Sequence, residues 1–204
     1  MPKFQSKSNT TLKTGNRAEY DLYPTPRKCV QQLLDREKFH GQVWEPACGR
    51  GDISEVLLDA GYSVLSTDIV DHGYENLNAI ADFLQCTYQE NMPRNIVTNP
   101  PFKYATEFMK LGYELTAQSG GKLALFLRLN FLEGQKRFYW FKEHKPSNIY
   151  VVAKRQTLWR NGEAIPKGRS GTTAYAWIVW RGKSWKSDDT TFDWIEPWVL
   201  MNFY

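Results

Sequence analysis

The stretch Gln42-Val43-Trp44-Glu45-Pro46-Ala47-Cys48-Gly49-Arg50-Gly51, followed by Asp52-Ile53-Ser54-Glu55-Val56-Leu57-Leu58-Asp59-Ala60-Gly61, decides how this chain folds. Gln42 to Glu45 is a short strand stopped by Pro46, which cannot donate to a ladder. Gly49-Arg50-Gly51 is a tight turn. Ile53, Val56, Leu57 and Ala60 recur at helical spacing, and Gly61 closes that helix. Tyr62 to Thr67 is a second strand, ending in Asp68.

Working outward, the same alternation continues. On the amino side, residues 1–18 are polar and basic without a hydrophobic period, and read as a flexible basic arm. Tyr20-Asp21-Leu22-Tyr23-Pro24-Thr25-Pro26 is held extended by its prolines. Thr25 is placed to cap the next helix and Pro26 to open it. Val30, Leu33 and Leu34 give that helix its apolar face, out to about Glu37. On the carboxyl side a short helix is expected over Glu75–Ile80, and a weak strand or turn over 82–86. Asn95–Thr98 is a strand and Thr106–Ala117 a helix. Lys122–Leu127 is a continuous apolar run of the kind found in buried central strands. Gln135–Glu143 has helical period, and strands are expected at Asn148–Ala153 and Thr173–Trp180. Strands alternating with helices imply an open, mostly parallel α/β sheet. Residues 19–204 are expected to form one domain, with the Trp-rich tail 184–204 packed back on it.

Composition bounds the function. The 204 residues are 42% hydrophobic and 24% charged, which excludes wholesale disorder and a membrane bundle. No run approaches the roughly 18–20 apolar residues of a membrane span, and no signal peptide is visible. Cys29, Cys48 and Cys86 have no metal-ligand spacing, so no disulfide framework and no metal site are expected, and the cytoplasm is the default compartment. A formal charge of +4 and an aromatic share of 15%, with eight Trp, are compatible with nucleic-acid binding without requiring it.

In open α/β sheets ligands bind beyond the carboxyl ends of the strands. Four pointed segments fall at such ends: Glu45–Gly51, Asp68, Asp82-Phe83 and Asn99-Pro100-Pro101-Phe102. The two glycines let the backbone pass close to a ligand, and the following helix offers free N–H groups. Asp68, 19 residues after Gly49, is placed to accept from ribose hydroxyls. A dinucleotide fingerprint wants a third small residue where Ser54 stands, and a pyrophosphate would be repelled by Glu45. An acid there suits an ammonium and a sulfonium, which points to S-adenosylmethionine. In the tetrad, two prolines stiffen the backbone and remove two donors. The side-chain oxygen of Asn99 and the carbonyl of Pro100 can then accept from one exocyclic amino group. Phe102 offers a face on which a planar base stacks.

On these residues the chain resembles the class I S-adenosylmethionine-dependent methyltransferases, and among them the DNA adenine-N6 enzymes. The cofactor half precedes the tetrad, as in the γ-type order. The resemblance covers about residues 20–182 and extends to the short methyltransferases of bacteriophage and prophage genomes. They share a basic strand–loop, here Lys154-Arg155, before a Tyr175-Ala176-Trp177-Ile178-Val179-Trp180 strand. The resemblance implies a Rossmann-like fold with seven strands, mostly parallel, the last antiparallel and inserted between its neighbours. It implies that Tyr23, Thr25 and Pro26 touch the methionine end of the cofactor. Glu45, Pro46, Ala47, Cys48, Gly49 and Gly51 form the first cofactor motif. Asp68 binds the ribose and Ile69 flanks the adenine. Asp82 and Phe83 hydrogen-bond the cofactor's amino group and pack on its ring. Asn99, Pro100, Pro101 and Phe102 are the catalytic tetrad. The separate target-recognition domain of larger γ-type enzymes has no counterpart in this sequence, which leaves sequence specificity open.

The loop after the sixth strand carries Lys154, Arg155, Trp159, Arg160, Lys167 and Arg169, a set suited to gripping phosphates and wedging a base. Tyr175 is grouped with them. A solvated loop is the plainer reading. Cys48 is not expected to act as a nucleophile. His40 and His144 are expected at the surface, Trp44 and Trp140 in the core, and the three histidines suggest no metal. The sequence also leaves open other acceptors behind the same tetrad: RNA adenine, cytosine N4, a protein glutamine amide. A non-catalytic DNA-binding module of the same fold is a further alternative.

Overall fold

The computed structural model describes residues 22–154, 173–182 and 189–196. Its elements run α1 (Arg27–Arg36), β1 (Val43–Glu45), α2 (Asp52–Asp59), β2 (Val64–Asp68), β3 (Ala79–Ile80), β4 (Asn95–Thr98), α3 (Ala105–Ser119), β5 (Lys122–Arg128), α4 (Gln135–Glu143), β6 (Asn148–Val152), β7 (Tyr175–Arg181) and β8 (Thr191–Ile195). The strands form one sheet in the order β3-β2-β1-β4-β5-β7-β6-β8. Strands β3, β2, β1, β4 and β5 are mutually parallel. Strand β7 is antiparallel to both neighbours, inserted between β5 and β6. The sheet is thus the expected open, mostly parallel one.

Two features depart from expectation. The sheet has eight strands rather than seven. The additional edge strand β8 falls in the Trp-rich tail and runs parallel to β6, so the antiparallel strand is the penultimate one. Glu75–Ile80 is no helix: the chain turns through it and adds the two-residue strand β3 beside β2. Of the strand or turn expected over 82–86 the structure has the turn, a 3-10 turn at 83–85, because the Asp82 side chain accepts from the Leu84 N–H at 3.0 Å and caps it.

The sheet is covered on both faces. One core layer joins Cys29, Val30 and Leu33 of α1 and Ile53, Val56 and Leu57 of α2 to Phe126 and Trp177. The other joins Phe108 and Met109 of α3 to Leu123, Leu125, Leu127 and Trp180, with Trp140 and Phe141 of α4 packed on it. Alternate residues of β5 feed the two layers, so its whole length is apolar between Lys122 and Arg128. Trp44 is buried as expected. Trp140 is only half-buried, and His144 stacks on it at 4.8 Å instead of lying free on the surface. At the amino end of β5, Glu37 is fully buried. It accepts from Lys122 Nζ at 2.5 Å, Tyr150 at 2.8 Å and Arg181 at 3.0 Å. Among the described residues no helix is long and apolar enough to cross a membrane. The basic arm 1–18, Arg155, Trp159, Arg160, Lys167, Arg169, Trp185 and Trp198 lie outside the described residues.

Candidate active site

The glycine turn leaves the carboxyl end of β1, and the Asn-Pro-Pro-Phe tetrad leaves the carboxyl end of β4, the adjacent parallel strand. The two most specific segments of the sequence therefore share one rim of the sheet. Asp68 ends β2 on the other side of β1. This follows from parallel pairing alone: neighbouring parallel strands bring their carboxyl ends, and the turns after them, to one side.

In the cofactor half, Asp68 holds the glycine turn. Its Oδ2 accepts from the Gly49 N–H at 2.8 Å and its Oδ1 from the Val70 N–H at 3.2 Å, with His72 Nε2 at 3.9 Å. Burial raises its pKa, and those N–H groups and His72 pull it back. Ile69, next in the chain, is 55% exposed, an apolar side chain open at the rim. Gly49 and Gly51 have φ of +55° and +84°, which favours glycine. Their missing side chains admit this protein's own residues. A Cβ on Gly49 would lie 2.6 Å from Leu22, and one on Gly51 2.2 Å from the Tyr74 ring. Tyr74 is held there by donating to Glu55 at 2.7 Å.

Glu45 does not point freely into the pocket. It is buried, and its Oε2 accepts from the Ser54 N–H at 2.7 Å and from the Ser54 hydroxyl. It thereby caps α2, whose own N-cap Gly51 has no side chain to do so. Burial raises its pKa well above the ordinary carboxylate range. Pro46 and Cys48 are buried and Ala47 half-buried. Burial pushes the Cys48 thiol up as well, with Glu45 and Asp68 adding to it, so no thiolate is available. Phe83 is 2% exposed, with its ring against Trp44 at 5.2 Å and Phe108 at 4.6 Å. It is a core residue with no free ring face, contrary to the expected packing on a cofactor ring. Asp82 stays half-buried above it.

In the tetrad half, the Asn99 amide is fixed from the amino-terminal segment. Its Nδ2 donates to the Tyr23 carbonyl at 2.9 Å and to Thr25 Oγ1 at 3.0 Å. The buried Thr25 hydroxyl serves Asn99 and makes no cap for α1; Pro26 is the N-cap, and the helix starts at Arg27. With both donor contacts made, Asn99 Oδ1 is buried and has no partner among the described residues. Pro100 is buried, and Pro101 and Phe102 are half-buried. The Phe102 ring lies 5.2 Å from Tyr23 and 6.4 Å from Tyr175. Tyr175 stacks on Phe126 at 5.2 Å and 8°. The structure thus brings together Tyr23, Thr25, the tetrad and Tyr175, with Leu22 reaching across to Gly49. Lys154 is exposed just past the end of β6, with β5 and β7 between that strand and β4 of the tetrad.

Arg128 was not singled out from the sequence. It ends β5, and its guanidinium lies over the Phe102 ring at 4.3 Å. The signal was present: it is the one polar residue closing an apolar strand, at the sheet end where the other motifs gather. Ser54 and Tyr74 carried no such signal. Among the described residues no group of three or more His, Cys, Asp or Glu could hold a metal ion.

No protein-family model and no curated protein matches this chain. Solved structures do. A methyltransferase subunit of a type I restriction-modification system from Streptococcus thermophilus superposes with a TM-score of 0.61 at 16% identity, over 88% of this chain and 48% of that one. A putative RNA methyltransferase from Pyrococcus horikoshii gives 0.54 at 14% identity, over 83% of this chain and 93% of that one. The 23S rRNA methyltransferase ErmE gives 0.52 at 15% identity, over 78% and 70%. The chain spans about half the length of the type I subunit. At these identities the likeness concerns architecture, and the architecture is the Rossmann-like α/β fold of these methyltransferases.

Proposed function

We propose that the protein is an S-adenosylmethionine-dependent methyltransferase that modifies adenine N6 in DNA, taking the base out of the stack. The observation that carries this reading is the Oδ1 of Asn99 at the end of β4, buried and without a partner among the described residues. An orphaned buried acceptor is costly, and a donor brought by a ligand to this strand end would satisfy it. Its amide nitrogen is spent on Tyr23 and Thr25, so the free atom is an acceptor that only a donor such as an exocyclic amine can satisfy. Phe102 beside it supplies a stacking face, worth about 1–3 kcal/mol for a base.

The cofactor half fits the nucleoside part of S-adenosylmethionine. Asp68 offers a carboxylate for the ribose hydroxyls, and exposed Ile69 an apolar contact for the adenine ring. Asp82 and Ala47 line the same rim. When bound, the cofactor supplies an electrophilic methyl group. This chain's part is to position the acceptor. Asn99 Oδ1, with the Pro100 carbonyl, accepts the two amine hydrogens and localises the nitrogen lone pair, and Phe102 holds the ring. Transfer is direct, since the Cys48 thiol is buried and protonated. The order of the two half-sites along the chain supports the γ-type assignment, and the Tyr175–Trp180 strand the likeness to short phage enzymes. The cytoplasm is the proposed compartment.

RNA adenine is a second reading, since two of the structural neighbours are an rRNA and a putative RNA methyltransferase. The test is transfer of a tritiated methyl group to DNA, to RNA and to a glutamine-containing peptide, with digestion to nucleosides. Label in N6-methyldeoxyadenosine is the expected result. Label in the peptide alone, or in no acceptor while the cofactor binds, overturns the proposal.

A further inference from the structure

We infer that Arg128 anchors the phosphate next to the methyl-accepting nucleotide, and so selects a polynucleotide over an uncharged amide; this rests on the nucleic-acid reading above. Arg128 and Tyr175 are directly opposed on the antiparallel pair β5–β7, so their side chains leave the same face of the sheet. The guanidinium lies 4.3 Å from the Phe102 centroid, and its charge acts on the Tyr175 hydroxyl. Tyr175 is itself buried and stacked on Phe126. The Phe102 contact places this exposed cation at the rim beside the tetrad.

That position is electrostatically adverse for methyl transfer unless the substrate corrects it. Transfer carries positive charge from the donor sulfur towards the acceptor nitrogen, and a fixed guanidinium near that nitrogen opposes the movement. Among the described residues no carboxylate pairs with Arg128; the buried acids of the site, Glu45 and Asp68, are committed to Ser54 and to Gly49 and Val70. An anion carried by the acceptor would compensate the guanidinium. A nucleotide within a strand brings a phosphate on each side of its sugar, and a glutamine amide or a free base brings none. A guanidinium has five donors in a planar fork, and a pair of them can grip a phosphate bidentately. With that phosphate bound the local charge is balanced, and the ring contact holds Phe102 in place for the base.

The test uses the full-length protein and an oligodeoxynucleotide carrying an adenine first shown by sequencing to be methylated by it. The phosphodiester on either side of that adenine is replaced in turn by an uncharged methylphosphonate. In the native protein one of the two replacements is expected to raise KM about tenfold. Arg128→Gln is expected to raise KM by a similar factor on the natural oligonucleotide and to be indifferent to that same replacement. Arg128→Lys, which keeps the charge, should regain the sensitivity. Unchanged cofactor affinity by calorimetry shows each variant folded. Equal sensitivity in native protein and Arg128→Gln, or a native KM in that variant, overturns the inference and leaves the proposed activity standing. If Arg128→Gln does not fold, indifference of the native protein to both replacements overturns it. Cofactor binding without transfer to any nucleic acid overturns both.

Discussion

Asn99 has two ends with different fates, and the difference sets what its variants should do. The nitrogen is committed to Tyr23 and Thr25, while the oxygen is buried and open. Asn99→Ala removes an acceptor that matters most as charge develops on the amine. It should lower kcat by about 10²–10³, by analogy with loss of one preorganised group of an oxyanion hole, and leave cofactor affinity near native. Thr25→Val keeps the volume of a buried residue and deletes one of the two acceptors that orient the amide. It should cost about 1 kcal/mol of stability and reduce kcat several-fold, read by denaturant titration and by single-turnover transfer. Asp68→Ala should weaken cofactor binding by about 1.5–3 kcal/mol if two charge-assisted bonds are lost, as calorimetry would measure. Asp68 also gives binding a pH dependence. Its pKa is raised from 3.8 by burial, and the ionised form is the better acceptor for hydroxyls. Affinity should therefore fall as pH drops, beginning above the range of an ordinary aspartate. An affinity flat with pH down to that range would contradict the ribose role.

At the scale of elements, α2 shows how one residue serves fold and site together. Gly51 must adopt a positive φ to close the turn, so α2 starts without a side-chain cap. Glu45 supplies one from the preceding strand through Ser54. Its pKa is raised well above 4.5 by burial, so the folded state holds a proton that the unfolded chain releases. The sign follows: this group favours folding below its unfolded value, and the contribution is lost as pH rises through the folded one. Glu45→Gln keeps an acceptor for the Ser54 N–H without the charge. It should match or exceed native stability at neutral pH and flatten the pH dependence above 4.5. Glu45→Ala should lose about 1–2 kcal/mol with the cap, by chemical denaturation. The sequence made β1, α2 and β4 legible through apolar residues closed by a Gly or Pro stop, β2 through its place after the Gly61 break, and β5 through its continuous apolar run. It hid β8, whose first four residues are exposed, so that no alternation marks a buried face. It hid β3, which is two residues long and depends on β2 for existence. The tetrad and the glycine turn were readable as local motifs. Arg128, and the diversion of Phe83 into the core, depend on which strands neighbour which.

Across the whole molecule, the sheet separates stability from chemistry by its two ends. Asn99, Asp68 and Arg128 gather at the carboxyl ends of the parallel strands, while Glu37 sits at the amino end of β5. Glu37 follows α1 and ties it to Lys122 of β5, Tyr150 of β6 and Arg181 of β7. Its side chain is fully buried, and those of Lys122 and Arg181 are 19% and 27% exposed. Replacing it with Ala leaves two cations and a phenol without their common acceptor. Losing one partner of a buried pair costs about 3–5 kcal/mol, and the partial exposure of the two cations places this case near the lower value. For a chain of this size that corresponds to a fall in Tm of about 6–12 °C. The site should not feel it, because no contact of Glu37 reaches the strand ends that carry the chemistry. Cofactor affinity and kcat of the Glu37→Ala protein, measured well below its Tm, should therefore match the native values. A loss of activity at a temperature where circular dichroism shows the variant folded would mean that the two ends of the sheet are coupled through β5. Arg128, six residues further along that strand, would then be the first place to look for the change.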